Sequence, residues 1–514
     1  MRSALLVTVI GCMVLGSAQA EQKPAHHGLY VHPYDVTRTD EGVRQLIDNC
    51  RRANIDTIVL LVKGMSGELY YPSRQFAEAV VKGYDTFDLP RHVLDEGHRA
   101  GIKVQMWLCD FVEGENSVAY KKHPEWAQLN PSGGTTATER LGPDRLPYPY
   151  VWMCPARRPG YVDQWLLPMF VEIATQYRPD AMHHDYVRYG GDVAPDSYCF
   201  CDYCLRDLPR WALLSYNSRA DERYRVNSSQ ERIEANWWSD PTMLPAGWKD
   251  EDRREKADFL LNGRTIPGGP PDLRYFFYEY RATRIENWVR EAYQRIKQVD
   301  PHIEMSASVF KNPIQSGRFI GQKWSEWTDW MDTFMPMTYR SHFAGSFESY
   351  LDHLTETTAR QLEWIGRRKP LYAGVATTYL YREEYKPLDE IATAVRELQA
   401  GSPHRAELVA AIEESAREIE QRLRPIAPAR AAVLAQAVRD LKSSPGDAGR
   451  VEAVSKFQTG LRNDFPPGYL PPSKLSRAIE AAQRANPDGV VIFAYGTLKR
   501  EKLMPALERA FGGK

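Results

Sequence analysis

A chain of 514 residues with 43% hydrophobic and 26% charged side chains has the composition of a folded protein with a sizeable core, which excludes the disordered and fibrous classes. Its 66 basic and 67 acidic side chains leave a formal charge of −1, so no global field recruits nucleic acid or an anionic membrane, and a neutral substrate suits the balance. Aromatic residues are 11% of the chain, with 13 Trp and 28 Tyr, enough flat surface to stack on sugar rings as well as to fill a core.

Residues 1–20 carry a basic Arg2, an apolar stretch over 4–15 and the ending Ser17-Ala18-Gln19-Ala20, the pattern of a cleaved signal peptide. The protein is therefore expected to be exported, periplasmic or secreted, with a mature chain beginning near Glu21. Val9-Ile10-Gly11-Cys12 gives the same stretch a second reading, a lipobox that makes a lipoprotein anchored at Cys12. No segment reaches the roughly 20 apolar residues of a transmembrane helix.

Eight short β-branched or apolar runs then alternate with helical patterns: 28–32, 57–63, 102–109, 181–185, 304–310, 333–339, 371–376 and 489–495. Between them, residues 42–53 place Val43, Leu46, Ile47 and Cys50 on one helical face, and 161–177 do the same with Trp165, Met169, Phe170 and Ile173, with Pro168 as a kink. A longer helix is expected over 276–299, ending before Pro301. Eight strands with intervening helices predict a (β/α)8 TIM barrel, whose working face is the C-terminal end of its strands. The alternative, an open doubly wound sheet, lacks a Gly-rich phosphate loop after the first strand.

Two stretches exceed what a barrel connection needs. Residues 206–272 read as an irregular insertion after the fourth strand, closing on Pro267-Gly-Gly-Pro-Pro-Asp272. Residues 386–470 have helical periods over 391–398, 408–423 and 431–441, a helical insertion between strands seven and eight. The barrel itself is then expected over 26–385 and 471–512.

Strand ends supply the candidate site. The third ends on Trp107, Cys109 and Asp110, the fourth on His183, His184, Asp185, Tyr186 and Arg188, the sixth on Tyr339 and the eighth on Tyr495. Glycoside hydrolysis needs two carboxyl groups flanking the bond, and buried carboxylates are costly, so Asp185 and its neighbour Asp110 are the candidate catalytic pair. Glu113, Glu383 and Glu384 are weaker candidates. Trp107, His184, Tyr186, Arg188, Tyr339 and Tyr495 are candidates for binding sugar. Trp324, Trp327 and Trp330 suit a buried stripe instead.

Asn54-Ile-Asp-Thr-Ile-Val-Leu-Leu-Val62, Gly101-Ile-Lys-Val-Gln-Met-Trp-Leu108 and Asp180-Ala-Met-His-His-Asp-Tyr-Val-Arg-Tyr189 follow one another in the order found in the glycosyl hydrolase-like family 10 proteins of bacterial envelopes, which this sequence resembles. Gln322–Trp327, Met335–Tyr339 and Asp488–Tyr495 continue the likeness. The resemblance implies a carbohydrate-active barrel; His184 departs from it, standing where the family tends to be apolar.

Cys199, Cys201 and Cys204 lie close together after the fourth strand. Three thiolates at this spacing suit a structural zinc, with a fourth ligand from Cys154, a His or water; in an oxidising compartment a disulfide is the alternative. No cofactor is required for the expected reaction. The partner is a carbohydrate, either a polysaccharide or a peptidoglycan glycan strand, hydrolysed at its O-glycosidic bonds. A non-catalytic carbohydrate-binding barrel is the second reading, and a metal-dependent hydrolase or deacetylase built on His32, His183 and Asp185 is the third.

Overall fold

The computed structural model describes residues 26–138, 150–190, 198–208, 211, 252–262 and 273–512. The expected leader and most of the irregular insertion at 206–272 lie outside them. Ten strands are described: β1 (His26–Val31), β2 (Thr57–Lys63), β3 (Lys103–Cys109), β4 (Val112–Gly114), β5 (Tyr150–Trp152), β6 (Ala181–Asp185), β7 (Glu304–Phe310), β8 (Thr333–Met337), β9 (Tyr372–Ala376) and β10 (Gly489–Phe493).

Eight of these form one parallel sheet in the order β8-β7-β6-β3-β2-β1-β10-β9, and they are the eight runs expected from sequence. The sheet nearly closes: Phe334 of β8 bridges Leu371 beside β9, and its amide donates to the Pro370 carbonyl at 3.0 Å. Each strand is buried on both faces, which is why it reads as an apolar run rather than as an alternation.

Helices cover the outside. They include α1 (Asp40–Arg52), α2 (Leu89–Arg99), α3 (Leu167–Tyr177), α4 (Leu273–Val299) and α5 (Phe347–Trp364). The α1 N-terminus is capped by Thr39, whose hydroxyl accepts from the Gly42 amide. Pro168 falls inside the expected helix: a π-helical turn over Val162–Leu166 runs directly into α3, so the departure from α-helical pairing comes just before the proline, which has no N–H to give the ladder.

Between β9 and β10 four further helices follow in succession, α6 (Arg382–Gln399), α7 (Arg405–Leu423), α8 (Pro428–Ser443) and α9 (Ala448–Asn463). Ile391, Ile412, Leu434 and Val454 form their shared buried seam. Then α10 (Pro472–Gln483) returns the chain to β10, and α11 (Tyr495–Arg500) leaves it. No helix among the described residues is long and apolar enough to cross a membrane.

A cleft at the C-terminal face of the barrel

The strand ends open on a cavity of about 410 Å³, lined by Tyr30, Glu68, Trp107, Asp185, Tyr339 and Phe493 among others. That volume suits a sugar-sized ligand. A larger cavity of about 740 Å³ lies on the outer wall against α3, away from the strand ends, and is more open. The smaller one is the candidate site, because it lies at the strand C-termini and holds the buried carboxyl of Asp185.

Asp185 closes β6. Successive residues of a strand alternate faces, so His183 and Asp185 point into the barrel while His184 points out. Trp107 Nε1 donates to Asp185 Oδ2 at 3.1 Å, and the Tyr186 amide donates to Oδ1 at 2.7 Å. Tyr186 has φ 50°, in the left-handed region, and this sharp turn folds its amide back onto the carboxyl it follows. Burial pushes the Asp185 carboxyl up to about 7, although the Tyr186 amide and the Arg188 charge pull it down.

Beneath it the His183 ring is locked by Ser306 Oγ at 2.8 Å, Ser308 Oγ at 2.9 Å and Tyr30 Oη at 3.1 Å. Burial holds His183 well below the usual imidazole range, so it is a neutral support beneath Tyr30 and Ser308, which do line the cleft. Arg188 lies over the rings of Trp152, Tyr186 and Phe310, at 4.4, 5.1 and 5.2 Å from their centroids, and forms a wall. Trp107, Tyr186, Arg188 and Tyr339 thus all line the cavity with Asp185.

The structure does not bring the other candidates there. Asp110 is fully buried on the outer side of the barrel, where its Oδ2 accepts from His184 Nδ1 and from Trp288 Nε1 of α4, both at 2.7 Å. His184 itself stacks on Phe170 of α3, with ring centroids 4.9 Å apart, and no part of it reaches the cleft. Asp110 and His184 therefore tie strand ends to helices and do not line the cleft. Asp110→Ala is expected to cost about 3–5 kcal/mol in chemical denaturation, because it strands a buried imidazole and a buried indole N–H. A variant as stable as the parent would remove this structural assignment.

Tyr495 also turns away; its hydroxyl accepts from Asn49 of α1 at 2.8 Å, and Phe493 takes its place at the cleft. Glu113 is consumed in a fully buried pair with Lys63 at 3.1 Å, reinforced by the Tyr161 hydroxyl at 2.6 Å. Glu383 answers Lys474 and Arg340, which bring its carboxyl down to about 2 against the upward push of burial, and Glu384 pairs with Lys474 and Arg422. None of the three lines the cleft.

Sequence reasoning passed over Glu68. It sits five residues beyond β2, two strands from Asp185 across Trp107, and lines the same cavity. Tyr70 donates to its Oε1 at 3.0 Å, while Oε2 is buried with no hydrogen-bond partner among the described residues. Gly67 sets its approach: it has φ +79°, and a Cβ there would stand 1.9 Å from Glu113 Oε2. The Glu68 loop thus rests on the buried Lys63–Glu113 pair.

Beside the cleft, Cys154, Cys199, Cys201 and Cys204 are all buried, with their sulfur atoms within 4.8 Å of one another. Cys154 Sγ is 3.5 Å from Cys204 Sγ and 3.9 Å from Cys201 Sγ. Four thiol sulfurs converging in this way fit a tetrahedral metal such as zinc. Cys154 comes two residues after β5, which pairs antiparallel with β4 and carries Trp152 to Arg188. Among the described residues this is the one group of three or more possible metal ligands; His32, His183 and Asp185 do not form another.

The fold and the cleft define a glycoside-hydrolase-like (β/α)8 barrel with its working face at the strand C-termini. Residues 28–363 match the family profile described as "Putative glycosyl hydrolase domain", and the chain belongs to that family. No curated protein matches the sequence.

Among solved structures, the chain is similar to the glycoside hydrolase domain of PgaB (BpsB) from Bordetella bronchiseptica, with 14% identity, TM-score 0.47, and coverage of 69% of this chain and 84% of that one. It is also similar to the β-galactosidase of Rahnella sp. R3, with 14% identity, TM-score 0.44, and coverage of 69% and 45%. For the β-galactosidase of the haloarchaeon Halorubrum lacusprofundi the figures are 12% identity, TM-score 0.45, and coverage of 68% and 47%. The chain spans less than half the length of either β-galactosidase.

Proposed function

We propose that the protein is an exported glycoside hydrolase of the family-10-like type, cleaving O-glycosidic bonds of a polysaccharide or peptidoglycan glycan strand. The observation that carries this reading is Asp185, a carboxyl raised to about 7 in a cleft that also holds Glu68. A carboxyl that keeps its proton near neutrality suits the general acid that protonates the leaving oxygen. Glu68 then serves as the second carboxyl, the nucleophile or the base for water. Tyr339 and Phe493, whose rings stack with centroids 5.8 Å apart, offer the sugar an apolar floor beside Trp107.

The experiment is reducing-end release by the mature chain over peptidoglycan strands and common polysaccharides, repeated with Glu68→Gln. Release by the parent and loss in the variant support the reading. Glycan binding without turnover in the parent leaves instead a carbohydrate-binding barrel.

We further propose that Cys154, Cys199, Cys201 and Cys204 hold one zinc ion as thiolates. Bound there, it would supply structure, cross-linking the loops after β5 and β6 that shape the Arg188 wall, with no ligand position open for catalysis.

A further inference from the structure

A further cavity, of about 520 Å³, lies beside the cleft. The two share Tyr379, whose ring is 41% exposed and stacks on Tyr339 with centroids 6.2 Å apart. Its walls come from both parts of the chain: Tyr379 and Arg500 from the segments after β9 and β10, Arg382 and Tyr385 from α6, and Arg462 from the end of α9. The helical insertion therefore builds half of a groove whose other half is the barrel.

The charge of this groove is one-sided. Three guanidinium groups, Arg382, Arg462 and Arg500, face one lining carboxylate, Asp389, which is paired with Arg462. Arg500 meets the fully buried Glu501 only at 3.7 Å, and the Glu501 carboxyl is occupied by the Tyr385 hydroxyl. Burial raises Glu501 to about 7, which weakens it further as a counter-charge at neutral and acid pH. Arg382 is exposed. Three arginines thus stand beside an exposed aromatic ring that also lines the cleft of Asp185. Guanidinium forks match carboxylates in geometry, and an aromatic face matches a sugar ring.

We propose that this groove is a subsite for an acidic sugar, so that the substrate is a glycan bearing carboxylates, held with one ring on Tyr379 and its anionic substituent on Arg382 and Arg500. The proposal rests on the carbohydrate reading above. It gives the insertion a role in selecting substrate, and it favours peptidoglycan strands or uronic-acid polymers over neutral polysaccharides.

The test uses the full mature chain and matched glycan pairs: peptidoglycan strands with free or amidated carboxyls, and a uronic-acid oligosaccharide with its methyl ester. A sulfated oligosaccharide separates carboxylate from general anion binding. Titration calorimetry and initial rates are expected to show at least a tenfold preference for the free acid over its uncharged partner, shrinking as salt rises. Arg382→Ala/Arg500→Ala should reduce that preference about tenfold, about threefold for each exposed charge contact, and Arg382→Lys/Arg500→Lys should keep part of it.

Equal use of both members by the parent, a preference untouched in the Ala variant, stronger binding of the sulfated probe, or binding of neither member overturns the subsite. Cleavage without preference overturns the subsite and leaves the hydrolase standing. Arginine-dependent binding of the free acid without cleavage keeps the subsite and removes the hydrolase.

Discussion

Asp185→Asn is expected to lose about 10³-fold in kcat/KM on a natural glycan, the range in which a positioned general acid contributes. The loss should be much smaller on an aryl glycoside with a good leaving group, because a phenolate departs without a proton. Glu68→Gln should impair both substrates, since its role does not depend on the leaving group. Steady-state kinetics on the two substrate types would check this; equal losses for Asp185→Asn on both would sink its assignment as the acid.

The proton on Asp185 also sets two pH dependences. Its folded value is about 7 against an ordinary 3.8, so the folded chain holds a proton that the unfolded chain has released. Activity that needs the protonated form should fall as pH rises through about 7. Stability moves the same way: the folded state binds more protons between about 4 and 7, so this residue contributes a loss of stability as pH climbs across that window. Asn carries no such proton, so Asp185→Asn should flatten the slope of denaturation midpoint against pH. It need not be more stable in absolute terms, because its amide can satisfy only one of the two donors, Trp107 and Tyr186, that the carboxyl accepts.

The barrel was legible because a parallel strand covered on both faces must be an apolar run, and eight such runs at helical separations leave few other arrangements. The site was less so, and for geometric reasons. Asp185 ends β6 and Trp107 stands two residues before the end of β3, so both reach the mouth. Asp110 and His184 were carried along by proximity in sequence, although the strand period of two already set His184 opposite His183 and Asp185.

Tyr495 failed similarly, one helix cap beyond the strand that offers Phe493. Glu68 was hidden because it lies in a loop, whose path depends on the left-handed Gly67 and on the Lys63–Glu113 pair under it, neither visible as a motif. The two-stranded sheet of β4 and β5 has three residues per strand, too short to leave a periodic signal. It is β5 that delivers Cys154 to the cysteine cluster.

Metal removal should have the largest structural effect. A four-thiolate zinc contributes its binding free energy to folding, because the unfolded chain has no preformed site, and its loss is expected to cost several kcal/mol. The purified chain should carry about one zinc per molecule by elemental analysis, and Cys204→Ser or Cys154→Ser should lower both that content and the denaturation midpoint. Cys50→Ser offers the control, since Cys50 is buried in α1 apart from the cluster and should leave the zinc content unchanged.

The competing disulfide reading gives the opposite thiol count. Under denaturant and chelator without reductant, the zinc site yields four titratable thiols beyond Cys50 and Cys109, whereas two disulfides yield none. Because the cluster anchors the loops that set Trp152 against Arg188, the zinc-depleted chain should bind glycan more weakly even where its barrel stays folded. A cysteine variant that has lost its zinc and still binds glycan as the parent does would separate the metal from the cleft, and would return the Arg188 wall to support from Phe310 and Tyr186 alone.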